Sequence, residues 1–501
     1  MTSMHSFDIS ARSARLSAGF LAAILCMLTG CQRGYRATAE RVETAFSTGE
    51  YVKAAEIAGK AVPGWEDFQA GNVVKAAKID GDTVAYALDA GSVAFFSDTP
   101  ASVFSFDTAY EVERPFLDTT ADESVSEIVA SIAVNDTVRV YKATPGERIM
   151  LNTWQAMNRM RGGDLAGARI ELNRAHDWQQ DAVARYARAI DRDLKALEED
   201  SKKRDFNLQE AKAKADPQKM AELTAGLEDA TAYSAYRNPF TSYLHGVFLL
   251  ATSREAGDLG NARSNFREVW EMVPEARGVV EVDLQSLNDT PGADMPATTW
   301  VFVMSGLAPR KTELWIPIPI PVGNGKFVLV SAAFPLLKPV EGCAKTFAVT
   351  THDGETAPVL LADIDRIVKA EFKEQLPAII TMEILRAAVK AGVTYVASQG
   401  AKEGGGQVSI VVWVVGTIYQ LASTAADLRS WRMLPKRIYV ARVPTPDDGV
   451  VGIRADGGPV HRAAVEPRAH NVVVVWLPSA STPAPTPAPA PAIATWSLPK
   501  P

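Results

Sequence analysis

The chain has 501 residues, 47% of them hydrophobic and 22% charged, which is apolar material for roughly two to four domains with cores of their own. A net charge of -7 excludes the overall positive field that nucleic-acid binding needs, and an acidic body has no general attraction for anionic lipid. The only cysteines are Cys26, Cys31 and Cys343.

The chain begins with a targeting pattern. Arg12 and Arg15 precede an apolar run from Leu16 to Leu28, which is too short to span a bilayer. Leu28-Thr29-Gly30-Cys31 follows, with the small residues that a bacterial lipoprotein signal peptidase needs before the cysteine. Residues 1–30 are therefore expected to be a signal peptide, and Cys31 the lipid attachment site, carrying palmitate-type acyl chains. One acyl chain anchors marginally and several anchor stably, since each buried methylene contributes about 0.8 kcal/mol. Residue 32 is Gln, not the Asp that commonly retains such proteins in the inner membrane, so the expected address is the cell outer membrane, periplasmic face. With Cys26 removed and Cys31 acylated, Cys343 has no partner for an internal disulfide.

Residues 31–290 read as a helical domain. Gly257-Asp258-Leu259 with Ala262, Phe266 and Pro274 follows the second half of a tetratricopeptide (TPR) repeat: a turn, a small residue where helices approach, and an aromatic filling the groove. Tyr243 belongs to the upstream helix, Ser242 to Glu255. Similar half-units occur at Gly163-Asp164-Leu165 with Ala168 and Leu172, and at Gly49-Glu50-Tyr51 with Ala54 and Ala58. A degenerate one runs through Ser97, Asp98, Ser102, Phe106 and Ala109. These turns are unevenly placed, unlike the strict period of about 34 residues in that family, so the expectation is an irregular TPR-like α-solenoid. From Asp191 to Leu223 charges of both signs alternate, which predicts a solvated helical extension broken near Pro217.

Residues 291–478 read as an α+β domain with an antiparallel sheet. Strands are expected over 299–304, 312–320, 326–330, 437–443, 450–454 and 471–477. Pro317 and Pro319 alternate with Ile316, Ile318 and Ile320, which confines that strand to an edge. A helical hairpin over 361–429 interrupts the strands, with Gly404-Gly405-Gly406 between a helix from Leu361 to about Ser398 and another from Gln407 to Arg429. Val408 to Val415 is very apolar; burial against the sheet is the expected fate, with a membrane span as the alternative. Residues 479–501 are a Pro/Ala-rich tail, expected to be extended polyproline II over Ser479 to Ala492.

Chemistry is harder to find. The chain carries no G-x-S-x-G elbow, H-E-x-x-H pair, Walker loop or dinucleotide glycine fingerprint. His352-Asp353-Gly354-Glu355 places an imidazole beside carboxylates but also suits a loop, and His461 and His470 lack acidic partners at ligand spacing. No catalytic or metal-binding residue is assigned, no cofactor is expected, and an enzyme is the less favoured reading. Tyr243, Phe266, Asp427, Arg429 and Trp431 are the candidate binding residues, with a structural lock between helix and sheet as the competing role for the last three.

Several strings together resemble an uncharacterised group of bacterial lipoproteins with TPR-like N-terminal halves. They are the lipobox, Tyr141 with Glu147-Arg148, Asn238-Pro239-Phe240, Gly306-Leu307-Ala308-Pro309, Leu376-Pro377, and Asp427-Leu428-Arg429-Ser430-Trp431. The resemblance implies fold and address, not activity. The expected role is an outer-membrane-anchored periplasmic scaffold that binds envelope proteins or peptides through its helical repeats. The alternatives are a cell-wall or surface-polymer processing enzyme and an accessory of an envelope secretion or assembly machine.

Overall fold

A computed structural model describes residues 34–74, 80–117, 140–203, 206–228, 230, 231, 233, 237–289, 295–321, 327–342, 344–403, 425–477 and 489–499. The expected signal, Cys31, Cys343, Val408 to Val415 and most of the Pro-Ala tract lie outside these residues.

Helices come first: α1 (34–47), α2 (Tyr51–Gly59), α3 (Trp65–Gln69), α4 (Thr83–Ala94), α5 (Thr99–Leu117), α6 (Pro145–Arg161), α7 (Leu165–Lys203), α8 (Leu208–Lys214), α9 (Pro217–Thr224), α10 (Pro239–Thr252), α11 (Ala256–Met272) and α12 (Arg277–Asp289). Three hairpins stand out, α4 with α5, α6 with α7, and α10 with α11. The small-plus-aromatic logic of the sequence is physically present. A Cβ on Gly246 would sit 2.7 Å from the Phe266 ring, and one on Gly91 would sit 2.6 Å from Phe106. Gly163 takes φ +77 just past α6, the left-handed turn that ends a helix cheaply only with glycine. Gly257 instead lies inside α11; the turn before it is formed by Ser253 to Glu255, and the Ser253 hydroxyl donates to Asp258 at 2.6 Å.

The strands follow: β1 (Thr298–Ser305), β2 (Arg310–Pro321), β3 (Phe327–Lys338), β4 (Phe347–Thr351), β5 (Gly354–Thr356) and β6 (Val359–Asp363). After helix α13 (Ile364–Glu403) come β7 (Arg437–Pro444), β8 (Val450–Ala455), β9 (His461–Ala464), β10 (His470–Leu477) and β11 (Ala492–Leu498). They form a five-stranded sheet ordered β11-β10-β1-β7-β6, a four-stranded sheet ordered β5-β4-β8-β9, and the separate ribbon β2-β3. The strands do pair across the helical insert, as β1 and β6 both lie against β7. The chain is thus a mixed α+β protein with helices before sheets.

Three sequence expectations need correction. The main sheet is not purely antiparallel, because β1 runs parallel to β10 from Thr299↔Asn471 to Ser305↔Leu477. A parallel neighbour requires a long crossover, here most of the C-terminal half. The chain end is no tail: Ala492 to Leu498 alternate buried and half-buried residues and pair with β10, closing the sheet edge. The first insert helix starts at Ile364, since Val359 to Asp363 extend as β6, and the described end of the expected second helix, 425–429, is not helical.

Layering explains the apolar runs. Trp300, Phe302 and Met304 of β1, with Val472, Val474 and Trp476 of β10, face the helices and share one core with them. Val301, Val303, Val473 and Val475 face the four-stranded sheet and pack on Val349, Val451 and Ile453. Strands covered on both sides read as continuous hydrophobic strings, as these do. The core joins residues on both sides of the sequence boundary at 290.

The ribbon has its own small core. Ile316, Ile318, Ile320, Val330 and Phe334 pack on Phe372, Leu376 and Ile384 of α13 and on Leu208 and Leu223 of the charge-rich insertion. That insertion, expected to be only solvated, therefore clamps the ribbon with its few apolar residues. Pro317, Pro319 and Pro321 share one parity of β2, so their missing N–H groups fall where no neighbouring strand pairs.

Candidate functional site

The candidate residues at 427–431 lie in an extended strap, 425–436, buried between the helical layer and the main sheet. A buried segment without helix or ladder must find acceptors for its N–H groups elsewhere, and here the helices supply them. Trp431 N–H donates to Glu147 of α6 at 2.8 Å, and Met433 N–H donates to Asp89 of α4 at 2.8 Å. The Trp431 indole N–H donates to the Ser92 hydroxyl at 2.7 Å, and the Tyr35 hydroxyl of α1 donates to the Ser430 carbonyl at 2.6 Å.

Two arginines complete the strap. Arg429, 2% exposed, makes a two-pronged contact with Asp427, 2.9 Å from each carboxylate oxygen, and donates to the Gly81 carbonyl at 2.7 Å. Burial alone would raise the Asp427 carboxyl, but the Arg429 guanidinium overrides it and holds the group well below the usual carboxylate range. Arg432 donates to Glu43 of α1 at 2.6 Å. Asp89 and Asp82 go the other way: burial pushes them up to about 8 and about 6, the latter opposed by Arg429. Asp427, Arg429 and Trp431 are thus brought together, with their polar groups occupied from inside the molecule.

Tyr243 and Phe266 sit elsewhere, fully buried, with ring centroids 5.5 Å apart. The Tyr243 hydroxyl donates to Asp283 of α12, which also accepts from Arg442 of β7 at 2.8 Å and from the Trp300 indole at 3.3 Å. Burial raises Asp283, against the lowering effect of Arg442. This cluster ties α10 and α12 to the sheet.

Sequence reasoning missed a pair of buried acids at the start of α6. Thr144 and Glu147 form a capping box, and Glu147 also accepts from the Tyr141 hydroxyl at 2.6 Å. Glu371 of α13 accepts from the Gly146 N–H at 2.6 Å, and burial pushes it up to about 8. Burial raises Glu147 as well, opposed by its hydrogen bonds to Tyr141 and Trp431. Both acids border a cavity of about 40 Å³ lined by Met150, Lys311, Ile367 and Phe372. That is room for waters, not for a sugar ring. The sequence signal for Glu147 was the Thr144-Pro145-Gly146-Glu147 capping pattern; nothing local marked Glu371.

The histidine candidates separate. His352 lies on an exposed turn 2.9 Å from Asp353, while Glu355 pairs with Arg454 at 2.7 Å. His461 is on β9 of the outer sheet, and His470 is buried on β10, accepting from the Thr298 N–H at 3.3 Å. Among the described residues, no cluster of His, Cys, Asp and Glu is arranged to hold a metal, and no helix is long and apolar enough to cross a membrane. Comparison with protein-family models, with curated proteins and with solved structures finds no match.

Proposed function

We propose that the protein is an outer-membrane-anchored periplasmic lipoprotein that acts as a protein-binding scaffold, its helical hairpins being degenerate TPR-like units. The observation that carries protein binding is the ribbon. Its inner face is packed, yet its outer face presents Trp315, Phe327 and Leu329, 39%, 43% and 68% exposed, beside half-buried Pro317, Pro319 and Pro321. Contiguous exposed apolar side chains on a monomer mark contact surfaces. The prolines deny donors to an incoming strand, so a partner meets the face and not the edge.

The strap already fills the groove beside the helices, so the partner surface shifts from the helical repeats to the ribbon. Lys214 lies 4.3 Å over the Phe327 ring, and Lys219 reaches the Trp315 carbonyl at 2.8 Å. The fitting partner is an envelope protein with an apolar patch rimmed by carboxylates. The test is site-directed crosslinking from Ser331, on the same face, in intact envelopes, comparing the parent chain with Trp315→Ala/Leu329→Ser. A discrete adduct that the double substitution abolishes supports the reading. An adduct unchanged by it, or crosslinking to phospholipid alone, refutes it.

A further inference from the structure

At the base of the ribbon, five residues along β2 from Trp315 and at the opposite end from Phe327, lies a cationic cleft of about 340 Å³, lined by Arg36 of α1, Arg310, Lys311 and Lys338 of the ribbon base, and Arg432 of the strap. Against these five cations the lining carries one carboxylate, Glu40, which Arg36 contacts at 2.8 Å. Behind the wall Glu43 bridges two guanidinium groups, accepting from Arg432 at 2.6 Å and from Arg310 at 2.9 Å. Each guanidinium gives Glu43 one N–H and keeps the rest of its fork for another acceptor. Lys311 donates to the Arg429 carbonyl at 3.0 Å and shares its charge with the Asp427 and Glu147 carboxylates on its inner side, and Lys338 has no acceptor among the described residues.

The ribbon register sharpens this. Arg310 and Lys338 stand directly opposite each other in the β2-β3 ladder, and Glu43 answers the Arg310 side of the pair, which leaves the Lys338 ammonium facing the cleft without a counter-charge among the described residues. Held guanidinium forks beside ammonium groups are the donor set that suits phosphate oxygens. The cleft also has an address. Tyr35 lines it and is four residues after Cys31, a tether of at most about 14 Å.

We propose that this cleft binds the phosphate of an anionic lipid headgroup, seating the body on the bilayer that Cys31 anchors; the proposal rests on the lipoprotein reading above. The seat gives orientation as well as affinity. The ribbon's apolar outer face begins at Trp315 and ends at Pro321 and Phe327, roughly 16 to 36 Å along the strand from Arg310, so the seat holds that face off the headgroups.

The test uses the full chain isolated from membranes in an uncharged detergent, with native mass spectrometry after addition of phosphatidylglycerol, phosphatidylcholine or inorganic phosphate. The parent chain is expected to retain phosphatidylglycerol at least tenfold over phosphatidylcholine, and Arg36→Gln/Lys338→Gln to bring that ratio close to one, since each surface cation adds about 1 kcal/mol of attraction. Both side chains are exposed, and an unchanged circular dichroism spectrum checks that the variant folds. Equal retention of the two lipids by the parent chain, or an undiminished ratio in the variant, overturns the proposal. Full displacement of lipid by equimolar inorganic phosphate overturns the headgroup as the source. The mass of the N-terminal peptide reports acylation separately, so an unacylated Cys31 removes the anchor while the lipid ratio still reads the cleft.

Discussion

The strap and the ribbon invert each other. Residues 425–436 put Arg429 inside the molecule, 2% exposed and paired with Asp427, while Arg432 at the rim of the cleft spends one N–H on Glu43. The ribbon puts apolar side chains outside, with Trp315 more than a third and Leu329 two thirds exposed. A motif with unusual chemistry in the sequence, Asp427-Leu428-Arg429-Ser430-Trp431, turns out to be structural because Asp427, Arg429 and the Trp431 indole find their partners inside the molecule. An unremarkable Ile-Pro alternation turns out to carry the available surface. Unspent contacts, more than chemical variety, mark where a partner goes.

That contrast can be broken by substitution. The largest effect is expected for Trp431→Ala, which leaves a large cavity and removes the indole donor from the Ser92 hydroxyl; stability should fall by about 3–5 kcal/mol in urea unfolding. Arg429→Met strands the half-buried Asp427 carboxylate and should lose about 2–3 kcal/mol at neutral pH, with part of that recovered as the medium is acidified enough to protonate it. If either variant unfolds like the parent, the strap is not the lock described here.

The buried acids give a pH test of the same interior. Glu371, pushed up to about 8 from 4.5, holds its proton more tightly folded than unfolded. Its contribution is therefore fully present below pH 4.5 and is lost as pH rises toward 8, the direction also expected from Asp89. Glu371→Gln keeps the acceptor for the Gly146 N–H without the charge, so it should gain at least about 1 kcal/mol over the parent at pH 8 and match it near pH 4.5. An equal loss at both pH values would mean that the carboxyl is not titrating in the fold. The smallest stability effect belongs to the ribbon: Leu329→Ser should change unfolding by no more than about 0.5 kcal/mol. A loss of several kcal/mol there would mean the outer face is packed, not presented.

Much of the architecture was legible. Pairing across the insert and the edge prolines follow from periodicity, and the expected groove-filling role of Phe266 fits its burial, although the glycines under Phe266 and Phe106, Gly246 and Gly91, carried no signal of their own. What was missed depends on distance in sequence. The parallel match of β1 to β10 joins segments with no local signal of partnership. Ala492 to Leu498 were masked by the composition of the Pro-Ala tract before them, although their alternation fits a strand. Asp427 to Trp431 were placed at a helix end because the run before them is apolar and charge-poor, a pattern that suits a helix and a buried extended segment alike. Glu371 could not have been singled out, since only the approach of α13 to the start of α6 gives it work.

The position of β1 has a consequence for biogenesis. The first strand among the described residues, β1, becomes the central one of its sheet, and both its neighbours, β7 and β10, are made more than a hundred residues later. Any polypeptide interrupted before Arg437 exposes both hydrogen-bonding edges of a strongly apolar strand, so such a copy is sticky until β7 and β10 arrive. Delivery of the segment from Arg437 to the strand at Ala492 to Leu498 is then what turns an aggregation hazard into a paired sheet.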